Sequence, residues 1–301
     1  MDDRNHDEVR QRIIAINGKP FSQSIAAKGM DYIEQELQKK LDLRESINTE
    51  KLKHYTSVFN PLAKLIYEDK DAQKSLRELR RLSEHSKTKL ALPTYPKIKP
   101  KIKSGSLLIV TAPPYDFDWT FDSLVHDNTG GQAEASKTDG RFIADYSVFS
   151  GGSALGASGI GIFFRPIAES TWVRFSPFIK YSFAWHDWSN LGPTAHSDGY
   201  LAIRVISFDF SGNDVRIEQD PRFQLWSDGT GWSEDHSNSD NDELFPVGQS
   251  TLFFQATSDR LYNLWVWGYS DGDGTDGDIF WSNSWGSLKI FVPFAAIEQW
   301  S

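Results

Sequence analysis

The chain divides near residue 104 into two parts of opposite charge and different aromatic content. Residues 1–103 contain 22 Lys and Arg against 15 Asp and Glu, a net charge of +7, whereas residues 104–301 contain 10 against 26, a net charge of −16. All 11 Trp and 18 of the 20 Phe follow residue 104. This asymmetry favours two structural units, and the opposite charges favour docking of one on the other.

The composition excludes several classes of protein. Hydrophobic residues make up 39% and charged residues 24%, which is typical of a folded chain. Cysteine is absent, which excludes a disulfide scaffold, a Cys-ligated metal site and a Cys nucleophile. The acidic first residues are not typical of a signal peptide. The sequence also contains no apolar run long enough to predict a transmembrane helix. We therefore expect a protein that is cytoplasmic as synthesised, with release by a non-classical route if its ligand is extracellular.

Residues 1–90 are predicted to form a helical docking or oligomerisation module. Apolar side chains recur at spacings of three and four along its third helix, at Leu52, Tyr55, Phe59, Leu62 and Ile66. Pro61 is expected to kink or split that helix. The stripe fits the buried face of a three- or four-helix bundle, and self-association through residues 48–86 is the alternative. The expected helices cover about 7–15, 22–43, 48–66 and 71–86.

Residues 91–104 are predicted to be a Pro- and Lys-rich linker. Three prolines favour an extended backbone, on which Lys97, Lys99, Lys101 and Lys103 would share one face. A solvated linker is the preferred interpretation, and contact with an anionic membrane is left open. Nucleic acid is not an expected partner, because the acidic second part would repel phosphate.

Residues 105–301 are predicted to form an acidic, Trp-rich β-sandwich of about nine strands, similar to a jelly roll. Ser258-Asp259 is interpreted as a tight hairpin turn, and 185–199 and 226–249 as long polar loops. The expected strands are 106–112, 141–148, 158–165, 171–184, 200–210, 214–218, 250–257, 260–268 and 286–293.

One short pattern, Trp-Ser followed by Asn, Asp or Glu, begins at Trp188, Trp226, Trp232 and Trp281. An indole beside an amide or carboxylate offers an apolar plate and hydrogen-bonding groups, a combination that suits a sugar ring. The alternative is a Trp that faces the core, followed by a polar turn. Trp265 and Trp267 alternate within a predicted strand, which favours the core. The predicted ligand-binding residues are Trp185, Trp188, Trp226, Asp228, Trp232 and Glu234.

An Asp-Gly-rich segment at 271–278 is the predicted metal site. Glycines allow neighbouring carboxylates to converge on a Ca²⁺ ion, which takes six to eight oxygen ligands. The spacing does not match an EF-hand, and a solvated turn is the alternative. The predicted ligands are Asp271, Asp273, Asp276 and Asp278.

Asp209 and Glu218 are the candidates for an acid–base pair. They flank a predicted Gly212-Asn213 hairpin, where two carboxylates could face one another as glycoside hydrolysis requires. Strand alternation favours a surface role for both. No nucleophile elbow and no phosphate-binding loop is present.

The sequence therefore favours a binding protein over an enzyme. The preferred interpretation is a lectin-like, carbohydrate-binding β-sandwich attached to a helical docking module, with Ca²⁺ as an optional ligand. The alternatives are a toxin or assembly component whose helices act on membranes or partners, and a hydrolase that acts on glycans.

Overall fold

A computed structural model describes residues 23–84, 90–93, 107–123, 129–166, 168–277 and 280–300. The helices are α1 (Gln23–Glu68), α2 (Lys70–Glu84) and the single turn α3 (Val247–Ser250). The strands are β1 (Leu107–Thr111), β2 (Phe117–Asp122), β3 (Gly130–Ser136), β4 (Arg141–Val148), β5 (Gly152–Phe164), β6 (Ser170–Asn190), β7 (His196–Phe208), β8 (Arg216–Gln219), β9 (Arg222–Gly229), β10 (Asp235–Leu244), β11 (Leu252–Thr257), β12 (Leu261–Gly274) and β13 (Trp281–Trp300).

The strands form two antiparallel sheets, as expected for a β-sandwich. Sheet A has the order β10-β6-β13-β4-β3, with β1 also paired to β13 and β11 to β6. Sheet B has the order β2-β5-β12-β7-β8, with β9 also paired to β7. The two longest strands, β6 and β13, pair with each other along one edge. Along its other edge, each has one neighbouring strand in its first half and another in its second half.

The central strand of sheet B is buried on both faces. Tyr262, Leu264 and Val266 of β12 lie in the core between the two sheets. The alternate residues, including Trp265 and Trp267, point to the outer face of sheet B and are also buried. A strand with two apolar faces needs a cover on each side.

Helix α1 supplies the cover on the outer face of sheet B. Met30, Ile33, Leu37 and Leu41 recur at spacings of three and four, so they share one face of the helix. This face packs on a group of aromatic and aliphatic side chains from four strands of sheet B, which includes Phe117, Trp119, Leu155, Ala157, Ala202, Ile206, Phe208, Trp265, Trp267 and Tyr269. The molecule therefore has three layers, with α1 outside sheet B and sheet A on the far side.

Two glycines of β5 make room for the large indoles of this layer. Gly161 is paired with Trp265 and Gly159 with Trp267 across β5 and β12. A Cβ atom at Gly159 would lie 2.6 Å from Cβ of Trp267, closer than such atoms approach in proteins. These residues must therefore lack side chains for the tryptophans to pack beneath α1.

An ion pair joins the two parts of the chain with signs reversed from their net charges, because its cation comes from the acidic second part. Arg222 of β9 forms a two-pronged ion pair with Glu36 of α1, with N–O distances of 2.6 and 2.8 Å. Hydrogen bonding from Arg222 lowers the pKa of Glu36. Trp119 donates its indole N–H to Glu34 at 2.7 Å, which fixes the helix against β2.

The prediction of a helical bundle is not supported. The helices expected at 22–43 and 48–66 form one continuous helix, which passes through Pro61 without ending. The helix expected at 71–86 corresponds to α2. The first part of α1 packs its apolar face on sheet B, and the second part contributes Phe59 and Ile66 to a small cluster with Leu76 and Phe280. The expected helix at 7–15 and all four linker lysines lie outside the described residues.

Several strand predictions also need correction. The loop expected at 185–199 contains the end of β6 and the start of β7, and the loop expected at 226–249 contains the end of β9 and all of β10. These segments are polar, but they hydrogen-bond as strands, for example β10 with β6. Ser258-Asp259 is not a hairpin turn, because β11 belongs to sheet A and β12 to sheet B.

No helix in the described part of the chain is long and apolar enough to cross a membrane.

Replacing Leu37 by Ala tests the role of α1 as a structural layer. Leu37 is 2% exposed in the packing between α1 and sheet B. The variant should lose about 2–5 kcal/mol of unfolding free energy, since it leaves a cavity beneath the helix. Urea denaturation followed by Trp fluorescence measures the change.

The matched control is Leu43→Ala on the same helix, where the side chain is 62% exposed. Its unfolding free energy should stay within about 0.5 kcal/mol of the wild type. Equal effects of both variants would contradict the placement of α1 on sheet B.

Candidate functional site

Two copies of the Trp-Ser-Asn pattern are direct neighbours in sheet A. In β6 and β13, Ser282 pairs with Ser189, Asn283 with Trp188, and Trp281 with Asn190. The indoles of Trp188 and Trp281 stack with their ring centroids 3.8 Å apart. We call this arrangement of Trp188, Asn190, Trp281 and Asn283 the tryptophan pair. Antiparallel pairing of β6 and β13 therefore brings two of the four copies of the pattern together.

The pattern at Trp226 has a different role from the one expected. Trp226 is buried between the sheets and stacks on Phe183, with centroids 5.2 Å apart. It crosses β7 at Gly199, where no side chain blocks its ring. Trp185 is also buried in this core. The sequence predicts exposed loop positions for Trp185 and Trp226, but each of these residues lies on a strand and faces the core.

The pattern at Trp232 lies between β9 and β10 and is accessible to solvent. The Trp232 side chain is 51% exposed, and its ring contacts Phe59 of α1 edge-on at 5.0 Å. Asp228 bonds to Nδ1 of His236 at 2.8 Å, which raises the pKa of that imidazole. Glu234 accepts a hydrogen bond from the N–H of Gly231. Of the six predicted ligand-binding residues, Trp185 and Trp226 therefore lie in the core, whereas Trp188 lies beside the segment that contains Trp232 and Glu234, where the N–H of Ser189 donates to the Glu234 carbonyl at 3.0 Å.

The predicted calcium ligands pair with cations of α1 and α2. Asp271 and Asp273 lie on β12, where Lys40 donates to Asp271 at 2.7 Å and Arg44 donates to Asp273 at 2.8 Å. Arg44 also pairs with Asp198. Burial opposes its charge, but the surrounding carboxylates raise the pKa of the Arg44 guanidinium.

The remaining predicted calcium ligands are divided. Asp276 pairs with Arg80 of α2 at 2.7 Å, and Asp278 lies outside the described residues. Across the part of the chain that the structure describes, no group of three or more His, Asp or Glu side chains is arranged to hold a metal ion. Calcium binding by 271–278 stays a prediction.

The two acid–base candidates are not opposite one another in the strand register. Asp209 follows the end of β7 and accepts hydrogen bonds from Ser211 and Asn213 in its own turn, which lowers its pKa. Glu218 lies on β8 and accepts a hydrogen bond from Ser207. Both carboxylates therefore have local structural partners.

A buried carboxylate was missed by the sequence reasoning. Asp187 lies on β6 and faces the core, where Ser197 and Ser284 donate to its two oxygens at 2.7 and 2.6 Å. Tyr146 lies 2.7 Å from the Ser284 hydroxyl. Burial raises the pKa of Asp187 to about 7. The strand alternation of β6 could have revealed it, because Phe183, Trp185 and Asp187 share one phase.

An exposed aromatic group on the outer face of sheet A was also missed. Trp172 of β6 is 50% exposed, and Phe253 of β11 is 51% exposed. Trp300 of β13 is directly paired with Trp172 and lies 6.3 Å from Phe253, ring to ring. We call these three residues the aromatic platform. Their neighbours Val173 and Phe254 are buried, so the platform occupies the outward phase of each strand.

Polar side chains surround the aromatic platform. Gln255 is paired with Trp172 across β11 and β6 and donates to the Ser170 hydroxyl at 3.0 Å. Arg174 and Glu298 form an ion pair across β6 and β13. In sequence, the signal is an aromatic residue in the polar phase of an alternating strand, as in Trp172-Val173-Arg174-Phe175.

Comparison with known proteins shows no family for this chain. No family model matches the chain, and no curated protein matches it. One similar solved structure, from infectious bursal disease virus strain Gx, is 8% identical with a TM-score of 0.18, and the match covers 69% of this chain and 40% of that chain. The chain thus spans less than half of that viral protein.

Two carbohydrate-binding modules are similar at the same low level. A CBM4 structure is 12% identical with a TM-score of 0.16, and the match covers 58% of this chain and 92% of that one. A family 11 module from Clostridium thermocellum, in complex with a β-1,3-1,4-mixed-linked tetrasaccharide, is 8% identical with a TM-score of 0.16, covering 68% and 98%. Scores of this size carry no argument about function.

The buried carboxylate predicts a specific pH dependence of stability. Asp187 has an ordinary pKa of 3.8 when unfolded and about 7 when folded. As the pH rises between these values, only the unfolded state ionises, so the carboxyl group destabilises the fold progressively. Asp187→Asn should therefore gain stability relative to the wild type from pH 4 to 8, by up to roughly 4 kcal/mol. Urea denaturation across this range measures the difference.

Asp209→Asn is the control, because hydrogen bonds in its turn lower the pKa of Asp209. That variant should gain no stability at high pH. A constant difference between Asp187→Asn and the wild type at all pH values would contradict the raised pKa.

We expect cations of α1, rather than a calcium ion, to neutralise the Asp271 and Asp273 carboxylates. Arg44→Ala should lower the unfolding free energy by about 3–5 kcal/mol, because it removes the cation that pairs with the buried Asp273 and leaves Asp271 with Lys40 alone. EDTA should leave the melting temperature of the wild type unchanged. Arg216→Ala, which removes an exposed pair with Asp214, is the control and should unfold like the wild type. If calcium neutralises these carboxylates instead, EDTA will lower the wild-type melting temperature.

Proposed function

We propose that the chain is a carbohydrate-binding β-sandwich and that its ligand rests on the aromatic platform of Trp172, Phe253 and Trp300. The observation that carries the proposal is the half-exposure of Trp172 and Phe253 on neighbouring strands. Exposed aromatic side chains grouped on a rigid sheet mark binding surfaces, because their hydration is costly without a partner.

The chemistry of the platform suits a sugar ring. The indole and phenyl faces offer apolar contact to the C–H groups of a pyranose. Gln255, Ser170 and the Arg174–Glu298 pair offer donors and acceptors to its hydroxyl groups from the adjoining positions. Such a site needs little rearrangement, since the side chains project from paired strands.

Binding is favoured over hydrolysis by the state of the acidic candidates. Asp209 accepts hydrogen bonds within its own turn, which lower its pKa, and Glu218 accepts a hydrogen bond from Ser207 on the neighbouring strand. A general acid for glycoside cleavage needs a raised pKa and a facing carboxylate. We assign the helical part to docking, because its buried face already packs on sheet B.

Trp172→Ala tests the platform. Binding of the full-length protein to a broad glycan array, in calcium and again in EDTA, selects the ligand. The affinity of Trp172→Ala for it should fall about tenfold or more, since central aromatic contacts dominate binding free energy. Isothermal calorimetry measures the affinity, and the melting temperature should stay at the wild-type value because the side chain is half-exposed.

Phe210→Ala is the matched control, because Phe210 is 55% exposed but lies beyond the end of β7, away from sheet A. Its affinity should equal that of the wild type.

Trp232→Ala distinguishes the two exposed tryptophans. If Trp232→Ala abolishes binding and Trp172→Ala does not, the ligand lies between β9 and β10 and the platform assignment is wrong. Sensitivity to EDTA would support calcium at 271–278.

A further inference from the structure

Helix α1 carries a second apolar surface, which is exposed to solvent. At 100° per residue, its members fall within an arc of about 60° around the helix axis. The aliphatic members are between 42% and 65% exposed, and the other two are exposed as well. We call this surface the exposed seam, and it consists of Leu43, Ile47, His54, Val58, Pro61 and Leu65.

The exposed seam is separate from the part of α1 that packs on the sandwich. Asn48 donates to the carbonyl of Gly152 at 3.0 Å, and Phe59 contacts Phe280 with ring centroids 5.7 Å apart. Both positions are turned by more than about 100° from the middle of the seam. Phe59 and Ile66, which belong to the stripe predicted from sequence, pack in the cluster around Phe280. The exposed seam is therefore a different face of the same helix.

The exposed seam is symmetric about His54. Ile47 and Pro61 each lie 7 positions from His54, and Leu43 and Leu65 each lie 11 positions from it. A two-fold axis through His54 places each residue opposite the one that is equally far from His54 on the second copy. Two antiparallel α1 helices that meet at His54 therefore bring Leu43 against Leu65 and Ile47 against Pro61, at both ends of the contact.

The charges at the ends of the seam are complementary in this arrangement. Lys39 lies 15 positions before His54, and Glu68 lies 14 positions after it. Both side chains are exposed, and both lie along the same edge of the seam. In an antiparallel pair, Lys39 of each copy meets Glu68 of the other. In a parallel pair, Lys39 would meet Lys39, so the charge pattern favours the antiparallel arrangement.

The length of the seam limits the strength of the contact. The 22 positions from Leu43 to Leu65 span about 33 Å at a rise of 1.5 Å per residue. One helix face of this length buries less surface than the roughly 800 Å² per partner of a standard interface. Contacts of this size form transient complexes, so we expect a dissociation constant in the micromolar range.

We propose that the exposed seam of α1 is a self-association surface whose partner is the α1 helix of a second copy, antiparallel and centred on His54. This association is independent of glycan binding, because α1 lies on sheet B and the aromatic platform belongs to strands of sheet A. It gives the helical part of the chain a role beyond covering sheet B.

Sedimentation velocity of the full-length protein tests the association. Between about 1 and 300 µM, the weight-average mass should rise from that of one chain toward that of two. Leu65→Glu should raise the dissociation constant about tenfold or more, because it places a carboxylate against Leu43 of the second copy. Its melting temperature should match the wild type, since Leu65 is 65% exposed. A wild-type mass of one chain at every concentration overturns the proposal.

Tyr67→Glu is the matched control on the same helix. Tyr67 is 48% exposed, and it lies on the opposite side of α1 because it is two positions from Leu65. This variant should associate like the wild type. Equal weakening by Tyr67→Glu and Leu65→Glu overturns the assignment of the contact to the exposed seam.

Exchange of charges tests the orientation of the two helices. Lys39→Glu and Glu68→Lys, made singly, each place like charges at both ends of the dimer and should raise the dissociation constant about fivefold. The double variant restores opposite charges, so its dissociation constant should return to within about twofold of the wild type. Further weakening in the double variant overturns the antiparallel arrangement.

A single introduced cysteine locates the two-fold axis, because the natural chain has none. His54→Cys lies on the axis and should form a disulfide between two copies on mild oxidation. Leu43→Cys should form none, since the two copies of this position are about 33 Å apart. Crosslinking of both variants indicates a parallel pair and overturns the arrangement. So does a lack of crosslinking in His54→Cys at concentrations where the dimer is present.

Discussion

The burial of sheet B on both faces is the constraint on which the rest of the structure depends. Every residue of β12 is buried, and its outward side chains include the indoles of Trp265 and Trp267. Such a surface could not stay in water, so α1 must lie on it. The helical part and the sandwich therefore share a core. Cations of the first part also stabilise this contact, since Arg44 of α1 neutralises carboxylates of β7 and β12.

This arrangement decides where a ligand can bind. The outer face of sheet B is occupied by α1, and the space between the sheets is filled by side chains. On the outer face of sheet A, Leu90 packs against Ala184 and Trp285, so only part of this face is open in the described part of the molecule. One of its ends is open and aromatic, and the other lies beneath α2. The aromatic platform lies at the open end of this face, and Trp232 between β9 and β10 is a second exposed indole.

Strand alternation explains which parts of the fold could be predicted. Segments with strong β-branched and aromatic alternation, such as β4 and β11, were predicted close to their bounds. The polar strand β10 was expected to be a loop, because Asp235–Leu244 lacks an apolar phase. It pairs with β6 through backbone hydrogen bonds and through side-chain contacts such as Lys180 with Asp242. The platform was missed for a related reason. Trp172 and Phe253 look like core residues unless their phase is compared with that of Val173 and Phe254.

The sequence by itself determined the β-sandwich class of the second part, the helical nature of the first and the charge attraction between them, because periodicity and charge are local properties. Only the tertiary structure decided that α1 covers sheet B, that Trp226 is buried while Trp172 is exposed, and that two Trp-Ser-Asn segments are neighbours. These outcomes depend on which strands pair and in which register. Antiparallel register joins residues that are far apart in the chain, and periodicity within one segment carries no information about its partner.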